Sequence, residues 1–230
     1  MKYSIKKFIN LPKILRNKLL YFLTKSKNDF IREIYWNLRA SDIHLKWGKG
    51  DKDFHVIKDI VEYVRPIKIL DIGCGSGRLF PIYKALDIKE VVAQDISSLA
   101  VKLCRQNYPS LDYKYECKGI AELNYPQNYF DLIISTRVLS AVLPEKIENV
   151  INKLTYLSRC IYINEMTDTD YSGQSTYWFK HDYDTILNKH GFKIIKSGII
   201  EVTDNNLSYN QNWFLYTKNE SKSINNNTNI

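Results

Sequence analysis

The amino-acid sequence predicts a doubly wound α/β fold: a mainly parallel seven-stranded sheet with its last strand antiparallel. Three observations support this prediction. Apolar segments of strand length alternate with amphipathic segments of helical period, the pattern of repeated βαβ units. One of these apolar segments runs directly into a glycine-rich turn at Gly73, and a helical segment follows. The last two strand-like segments, 192–200 and 212–217, have only a polar turn between them, so we expect them to pair in antiparallel fashion.

The predicted helices lie where apolar residues recur at helical spacing between capping and breaking signals. The proline at 66 disfavours helix in the residue before it, so the helix that starts at residue 54 should end near residue 64. Ser97 and Asp182 are suited to cap helices, Pro144 to open one, and Gly191 to end one in a left-handed conformation. Helices are predicted over 31–42, 54–64, 78–86, 97–107, 144–157 and 182–190.

The predicted strands are short and apolar, as expected for a sheet buried on both faces. The most apolar of them are KILDI, which leads into the glycines, and FDLIIS. In chain order the predicted strands cover 68–72, 90–95, 112–116, 130–135, 160–165, 192–200 and 212–217.

The positive charge of the chain is concentrated at its N-terminus. The 230 residues carry a formal charge of +8, but residues 1–30 hold eight cations and one anion, so the remainder has a net charge of +1. A nearly neutral body disfavours nucleic-acid binding, which needs a basic face. We therefore divide the chain into a basic amphipathic N-terminal segment (1–30), a folded domain (31–217) and an Asn-rich tail (218–230) predicted to be disordered.

The N-terminal segment has two interpretations. Residues 11–25 predict a helix with leucines and a phenylalanine on one side and cations opposite, which suits the surface of an anionic membrane. The same residues also suit an ordinary helix packed against the domain. No segment approaches the ~18 apolar residues of a spanning helix. We expect a cytoplasmic protein, peripheral to the inner face of the membrane if the first interpretation holds.

Cysteine and histidine spacing argues against disulfides and metal binding. The cysteines form no C-x-x-C pair and have no regular spacing, as expected for reduced thiols in the cytosol. The histidines are equally scattered, so no metal site is predicted. The four cysteines are Cys74, Cys104, Cys117 and Cys160, and the four histidines are His44, His55, His181 and His190.

The glycine turn carries the functional signal. A phosphate-binding P-loop requires G-x-x-x-x-G-K-[ST], and no Gly-Lys follows here. A dinucleotide fingerprint requires G-x-G-x-x-G, whereas this turn reads G-x-G-x-G with an acid, Asp71, two residues before the first glycine. Neither phosphate-binding pattern fits.

The turn resembles the first motif of class I S-adenosylmethionine-dependent methyltransferases, [DE]-x-G-x-G-x-G. Two further matches follow in order. Asp95 ends the next strand, 24 residues after Asp71, and PQNYFDLIIS resembles the fourth motif of the family, with Asp131 opening the strand. The resemblance covers about residues 31–217 and implies a Rossmann-like methyltransferase fold with S-adenosylmethionine as cofactor and S-adenosylhomocysteine as product.

The resemblance also implies which residues bind the cofactor. Asp71 and the glycine loop would lie along its methionine end, Asp95 and Ile96 at the ribose and adenine, and Ser135 near the sulfonium. Two departures from the family stand out. Gly119 replaces an acid that often lies near the adenine, which leaves recognition to backbone amides. Ser140-Ala141 stands where many relatives carry histidine. The implied cofactor-binding residues are Asp71, Gly73, Cys74, Gly75, Gly77, Asp95, Ile96, Ile120, Ala121 and Ser135.

Three side chains are candidates for catalysis on the acceptor. Methyl transfer requires mainly alignment of donor and acceptor, but a hydroxyl acceptor also needs a base. His44, Glu165 and His181 are candidate bases. Each has a structural alternative: a surface position on a helix for His44, a solvated strand end for Glu165, and support of the Asp182 cap for His181. The aromatic residues Trp47, Tyr177 and Trp178 are candidates for the acceptor pocket, or for the core.

The acceptor class follows from what the sequence lacks. Family members that methylate nucleobase amines often carry [DN]-P-P-[YFW] after strand four, where this chain reads Ser135-Thr136-Arg137-Val138. A small-molecule or sugar-containing acceptor, such as a lipid-linked glycan, is therefore favoured. The alternatives are a non-catalytic module that retains the fold, a methyltransferase of nucleic acid or protein, and a nucleotide-dependent oxidoreductase.

Overall fold

The structure is a computed structural model of the chain and describes residues 28–47, 53–166, 178–204 and 207–219. The predicted basic helix and nearly all of the predicted tail lie outside these ranges. Within them, no helix combines the length and the apolarity that crossing a bilayer requires.

Six α-helices and seven strands alternate along the described chain. The helices are α1 Asp29–Trp47, α2 Phe54–Val64, α3 Phe80–Ala85, α4 Ser98–Asn107, α5 Pro144–Leu157 and α6 Tyr183–Lys189. The strands are β1 Lys68–Ile72, β2 Glu90–Gln94, β3 Lys114–Glu116, β4 Leu132–Thr136, β5 Cys160–Met166, β6 Phe192–Asp204 and β7 Leu207–Lys218. Single turns of 3-10 helix occur at Ile120–Glu122 and Leu139–Ala141.

The seven strands form one sheet in the order β3-β2-β1-β4-β5-β7-β6. All neighbouring pairs are parallel except those made by β7, which is antiparallel to both β5 and β6. The predicted fold class is thus confirmed. The strand order reverses between β1 and β4, and ligands of open α/β sheets bind at the carboxyl ends of the strands at such a switch point.

Element boundaries depart from the prediction at several places, and β3 and β4 each start two residues late. Helix α1 continues to Trp47 instead of ending at residue 42, and α3 is shorter than predicted because a turn precedes Phe80. Strands β6 and β7 extend toward each other over 201–204 and 207–211, because their antiparallel pairing continues beyond the apolar segments. Boundaries of this kind depend on tertiary pairing, which local sequence does not encode.

Hydrophobic side chains fill both faces of the sheet. One cluster joins α2 and α3 to the sheet through residues such as Ile57, Ile60 and Phe80. The other joins α5 and α6 through residues such as Ile151 and Leu187. Alternate residues of the central strands supply the two clusters, as strand geometry requires. Helices therefore cover both faces, and the site must lie at an edge.

Candidate functional site

Three glycines with positive φ angles shape the loop after β1. Gly73, Gly75 and Gly77 have φ values of 62°, 55° and 86°, a region that favours glycine. A Cβ atom at Gly73 would lie 2.3 Å from Val138 Cγ2, and one at Gly77 would lie 2.8 Å from the Tyr108 ring. A Cβ atom at Gly75 would meet nothing within 4 Å. The backbone at Gly75 is therefore free of neighbouring atoms on the side where a Cβ would project, and we call this surface the open floor. Gly73 and Gly77 are packed against other side chains.

The loop is tied to the end of β2. The Asp95 carboxylate accepts hydrogen bonds from the backbone N–H of Gly75 at 3.0 Å and of Ser97 at 2.8 Å. The Gln94 amide oxygen accepts from the N–H of Gly73 at 3.2 Å. Burial raises the pKa of Asp95, although the two backbone donors oppose this. Each Asp95 oxygen retains a second acceptor position, so the carboxylate can also accept from a ligand's hydroxyl groups.

Asp71 is buried behind the loop with one oxygen unsatisfied. Its side chain is 2% exposed, and Oδ2 has no hydrogen bond of good geometry, although the nearby Tyr83 hydroxyl lowers the pKa of the carboxyl. Burial raises the pKa of Asp71 to about 7, against the opposing charge of Arg78. An unsatisfied buried carboxylate costs stability, so its presence beside the loop is a sign of function.

Ser135 and the segment after β3 lie at the carboxyl edge of the sheet, in the part formed by β1 to β4. We call this part the cofactor half, and the part formed by β5 and the loop after β4 the acceptor half. Ser135 lies near the carboxyl end of β4, fully buried, and its hydroxyl has no partner. Gly119 precedes the 3-10 turn that contains the buried Ile120 and the exposed Ala121. Ile96 directly follows Asp95 and is half-buried. The predicted cofactor-binding residues therefore come from the ends of β1, β2, β3 and β4, which adjoin in the sheet.

Cys74 faces away from solvent, toward α4. Its sulfur lies 3.8 Å from that of Cys104, and the Cys104 thiol donates to the Gly75 carbonyl at 3.1 Å. The pKa of Cys74 is raised by the neighbouring Cys104 and by burial. The four cysteines are free thiols in the structure. Cys74 thus supports the loop from behind.

Glu165 lies at the carboxyl end of β5 and is buried, so the alternative of a solvated strand end is wrong. Its Oε1 accepts from the backbone N–H of Val138 at 2.9 Å and of Leu139 at 2.7 Å. Its Oε2 accepts from the Ser140 hydroxyl at 2.6 Å. Burial raises the pKa of Glu165 to about 7, although these three donors oppose the rise.

His181, in the segment before α6, packs against the loop after β4 that Glu165 contacts. Its Nε2 donates to the Val142 carbonyl at 3.0 Å, and its ring lies between the rings of Phe179 and Tyr183. Burial lowers the pKa of His181, although backbone carbonyls oppose this, so the neutral ring is favoured near pH 7. The cap at Asp182 is made with Thr185 alone, and His181 takes no part in it.

The remaining acceptor-side candidates are only partly described. His44 and Trp47 lie in the last turns of α1, but their side chains fall outside what the structure describes, and so does Tyr177. Trp178 is half-buried and immediately precedes Phe179. Asp131 lies at the opposite edge, where its carboxylate accepts from the N–H groups of Ile67 and Lys68 at 2.8 Å and fixes the start of β1.

The structure adds a buried ionic cluster that the sequence did not reveal. Asp53, just before α2, accepts two hydrogen bonds from Arg78 at 2.7 and 3.2 Å and one from Asn164 at 3.3 Å. Arg137 lies 3.9 Å from the same carboxylate. Burial alone would raise the pKa of Asp53, but the two guanidinium groups hold it below its usual range. Of these residues, only Arg78 stands beside a recognisable sequence motif, because it directly follows Gly77 of the glycine turn.

Helix α1 makes hydrogen bonds both to the start of α4 and to the loop after β4. The Asn37 amide oxygen accepts from the Ser97 hydroxyl at 2.9 Å and from the Leu99 N–H at 3.1 Å, at the start of α4. One turn earlier, Arg32 donates to the carbonyl of Ala141 in the loop after β4. The helix therefore links the cofactor half to the acceptor half.

These residues fit S-adenosylmethionine. The open surface at Gly75 allows a ligand to lie against the backbone, and the paired strands β1 and β4 carry the buried Asp71 and Ser135 near their carboxyl ends. The remaining acceptor positions of Asp95 suit ribose hydroxyl groups. No cation-rich phosphate cradle is needed, because this cofactor has no phosphate.

Comparisons with known proteins agree with this geometry. Residues 69–159 match a family model described as a methyltransferase domain. A tRNA N(3)-cytidine methyltransferase of Bos taurus is 36% identical over 99 residues, which cover 39% of this chain and 26% of that protein. Ribosomal protein L11 methyltransferase of Staphylococcus carnosus is 29% identical over 129 residues, which cover 52% of this chain and 40% of that protein. The chain spans less than half the length of these curated relatives.

Solved structures share the fold over most of the chain. Magnesium protoporphyrin IX methyltransferase from Synechocystis PCC 6803, solved with bound S-adenosylhomocysteine, has a TM-score of 0.66 at 18% identity and covers 84% of this chain and 100% of its own. The N-methyltransferase NodS from Bradyrhizobium japonicum WM9 has a TM-score of 0.62 at 14% identity and covers 76% of this chain and 92% of its own.

The fold and the matched segment point to one class of protein. Residues 69–159 are similar to a methyltransferase domain, and the fold is the one seen in solved S-adenosylmethionine-dependent methyltransferases. S-Adenosylmethionine is the cofactor of that class. The predicted fold is therefore confirmed, and the matched segment agrees with the predicted class and cofactor.

Proposed function

We propose that this chain transfers a methyl group from S-adenosylmethionine to an oxygen or nitrogen atom of a small-molecule or sugar-containing acceptor. The observation that carries the proposal is the open floor at Gly75, which is bound to Asp95 and follows the strand that carries the buried Asp71. Loops that serve only to turn the chain do not need a buried, unsatisfied carboxylate beside them.

The chain's own residues would bind and orient the two substrates. When bound, the cofactor supplies an activated methyl group on a sulfonium. Asp71 and the glycine loop would hold its methionine end, Asp95 would accept from its ribose, and Ser135 would lie next to the reacting centre. Orientation of this kind supplies much of the rate in a displacement reaction.

His181 is our choice for the base that an acceptor hydroxyl would require. A half-buried imidazole with a lowered pKa is neutral at pH 7 and so has a lone pair on one ring nitrogen. It directly precedes the cap of α6 and contacts Val142 in the loop that follows β4, the strand that carries Ser135. Trp178, Tyr177, Trp47 and His44 remain proposed acceptor contacts.

The acceptor class rests on charge and on the sequence after β4. Residues 31–230 are nearly neutral, and the nucleobase-amine signature is absent at 135–138. The curated relatives are named for tRNA and ribosomal protein L11, so these two macromolecules belong in the same acceptor screen. Methyl incorporation into tRNA or L11, and into no sugar or small molecule, would contradict our acceptor assignment.

Calorimetry with S-adenosylhomocysteine tests the proposal at its base. Wild-type protein should bind it, and Gly75→Arg should not, because the side chain would occupy the open floor. Gly191→Arg is the matched control: Gly191 has a φ of 77°, its Cβ position is also open, and it lies at the opposite edge of the sheet. No binding by the wild type, or equal loss in both variants, would overturn the proposed site.

We also propose that the basic N-terminal segment holds the protein at an anionic membrane surface. The support is its net charge of +7 beside a nearly neutral body. Each cation near such a surface contributes about 1 kcal/mol. Deletion of residues 1–27 should abolish binding to phosphatidylserine vesicles and leave S-adenosylhomocysteine affinity unchanged. Equal vesicle binding by both proteins would contradict the membrane role.

A further inference from the structure

The loop after β4, residues 138–142, is held on its amide side by one carboxylate. Glu165 accepts from two consecutive N–H groups, those of Val138 and Leu139, and from the Ser140 hydroxyl. All three donors lie within 2.6–2.9 Å of its oxygens, and the side chain is 3% exposed. Both oxygens of Glu165 therefore accept hydrogen bonds from the loop, and we call this set of three hydrogen bonds the clamp.

The carbonyl side of the same loop is held by the elements that surround the acceptor. The Phe179 N–H donates to the Ser140 carbonyl at 2.7 Å, and His181 Nε2 donates to the Val142 carbonyl at 3.0 Å. From the other direction, Arg32 of α1 donates to the Ala141 carbonyl. The position of the loop therefore fixes the position of the candidate base and of the helix that spans the site.

We propose that Glu165 is a positioning residue, which holds the loop after β4 so that His181 is placed beside the end of that strand, and that it exchanges no proton with the acceptor. This inference rests on the proposed methyl transfer and assigns Glu165 a role different from a base. A catalytic base needs an oxygen directed at the substrate, whereas Glu165 is 3% exposed and directs both oxygens at donors of the loop.

Ionisation of Glu165 controls the strength of this clamp. Burial raises its pKa to about 7, and the groups that face it are the Ser140 hydroxyl, the backbone N–H groups of Val138, Leu139 and Ser140 and, from α6, the Tyr183 hydroxyl. The loop amides bind the carboxylate more tightly than the neutral acid, because charge-assisted hydrogen bonds are stronger. The clamp should thus weaken as the pH falls through about 7.

Nuclear magnetic resonance of the full chain can test the clamp directly. In the wild type, the amide protons of Val138 and Leu139 should be protected and their chemical shifts should titrate near pH 7. Glu165→Ala should accelerate exchange of both amides by about 10- to 100-fold and change the titration midpoint of His181. Ser140→Ala should produce a smaller acceleration, because it removes one of the three donors.

Two further variants keep the test decisive. Glu165→Gln preserves the shape and an acceptor oxygen, so the amides should remain protected while their titration near pH 7 disappears. Glu148→Gln, at an exposed ion pair with Lys189, is the matched control and should change neither signal. Unchanged amide exchange in Glu165→Ala, or persistent titration in Glu165→Gln, would overturn the proposal. Failure of the wild type to bind S-adenosylhomocysteine would instead contradict the proposed function, since the amide measurements need no ligand.

Discussion

Alanine substitutions at individual glycines should distinguish a loss of folding stability from a loss of ligand binding at the loop. Alanine at Gly75 must adopt a left-handed conformation, which costs about 1–2 kcal/mol, and it meets no other atom within 4 Å. Alanine at Gly73 carries the same strain and places Cβ 2.3 Å from Val138 Cγ2. Rotation of Val138 gives little relief, because its own Cβ would be only 3.2 Å away. Overpacking adds about 1–3 kcal/mol, so Gly73→Ala should cost roughly 2–5 kcal/mol in all.

Chemical denaturation and calorimetry together measure both effects. Gly75→Ala and Gly191→Ala should lose similar, small amounts of unfolding free energy, since both positions are open and left-handed. Only Gly75→Ala should weaken S-adenosylhomocysteine binding, by about tenfold or more, which corresponds to ~1.4 kcal/mol. If Gly73→Ala proves as stable as Gly75→Ala, the packing contact with Val138 is wrong. If Gly191→Ala loses as much affinity as Gly75→Ala, the open floor is not the binding surface.

Three further predictions concern buried groups. The folded-state pKa of Asp71, about 7, exceeds its ordinary value, so the wild type should lose stability as the pH rises toward 7 and the carboxyl ionises. Asp71→Asn should make the loss of stability between pH 5 and pH 8 smaller, by about 1.4 kcal/mol per pKa unit. Denaturation of both proteins at the two pH values measures the difference. Asp53→Ala should cost about 3–5 kcal/mol because it leaves Arg78 without its buried carboxylate, whereas Glu62→Ala, at an exposed pair with Lys58, should cost less than about 1 kcal/mol in the same assay. Thiol titration of the native protein should modify Cys117, which is exposed, well before the three buried cysteines.

Most of the fold could be predicted because its signals are local. Helix α2 ends at Val64, next to Arg65-Pro66, and α5 runs from Pro144 to Leu157 as the periodicity indicated. Ser97 caps α4 by accepting from the Ala100 N–H. By contrast, the length of β6 and β7 could not be read from the sequence. Their additional residues are held by pairing across the hairpin, and their composition is polar.

The candidate site was predictable where a residue type is imposed by the backbone, and unpredictable where distant segments meet. Gly75 and Asp71 follow from the strand–turn pattern. The clamp by Glu165 does not, because its loop partners lie about 26 residues earlier. Asp53 gave no signal at all: its meaning arises only when Arg78 and Asn164 converge on it from two other elements.

The two edges of the sheet differ in unsatisfied polar groups and not in backbone conformation, and this difference locates the function. Within the described ranges, positive φ angles occur equally at both edges: Gly73, Gly75, Gly77 and Arg137 after strands, and Arg65, Asp87, Asn128 and Gly191 before them. Left-handed turns therefore serve chain reversal everywhere in this fold. Buried side-chain atoms without a partner, tyrosine hydroxyls apart, belong to Asp71, Ser135, Asn164 and Gln211. All four lie toward the carboxyl ends of β1, β4 and β5 or, for Gln211, in register with Met166 at the end of β5. Since such atoms cost stability wherever they occur, a ligand at this edge would meet four side chains whose hydrogen bonding the protein leaves incomplete.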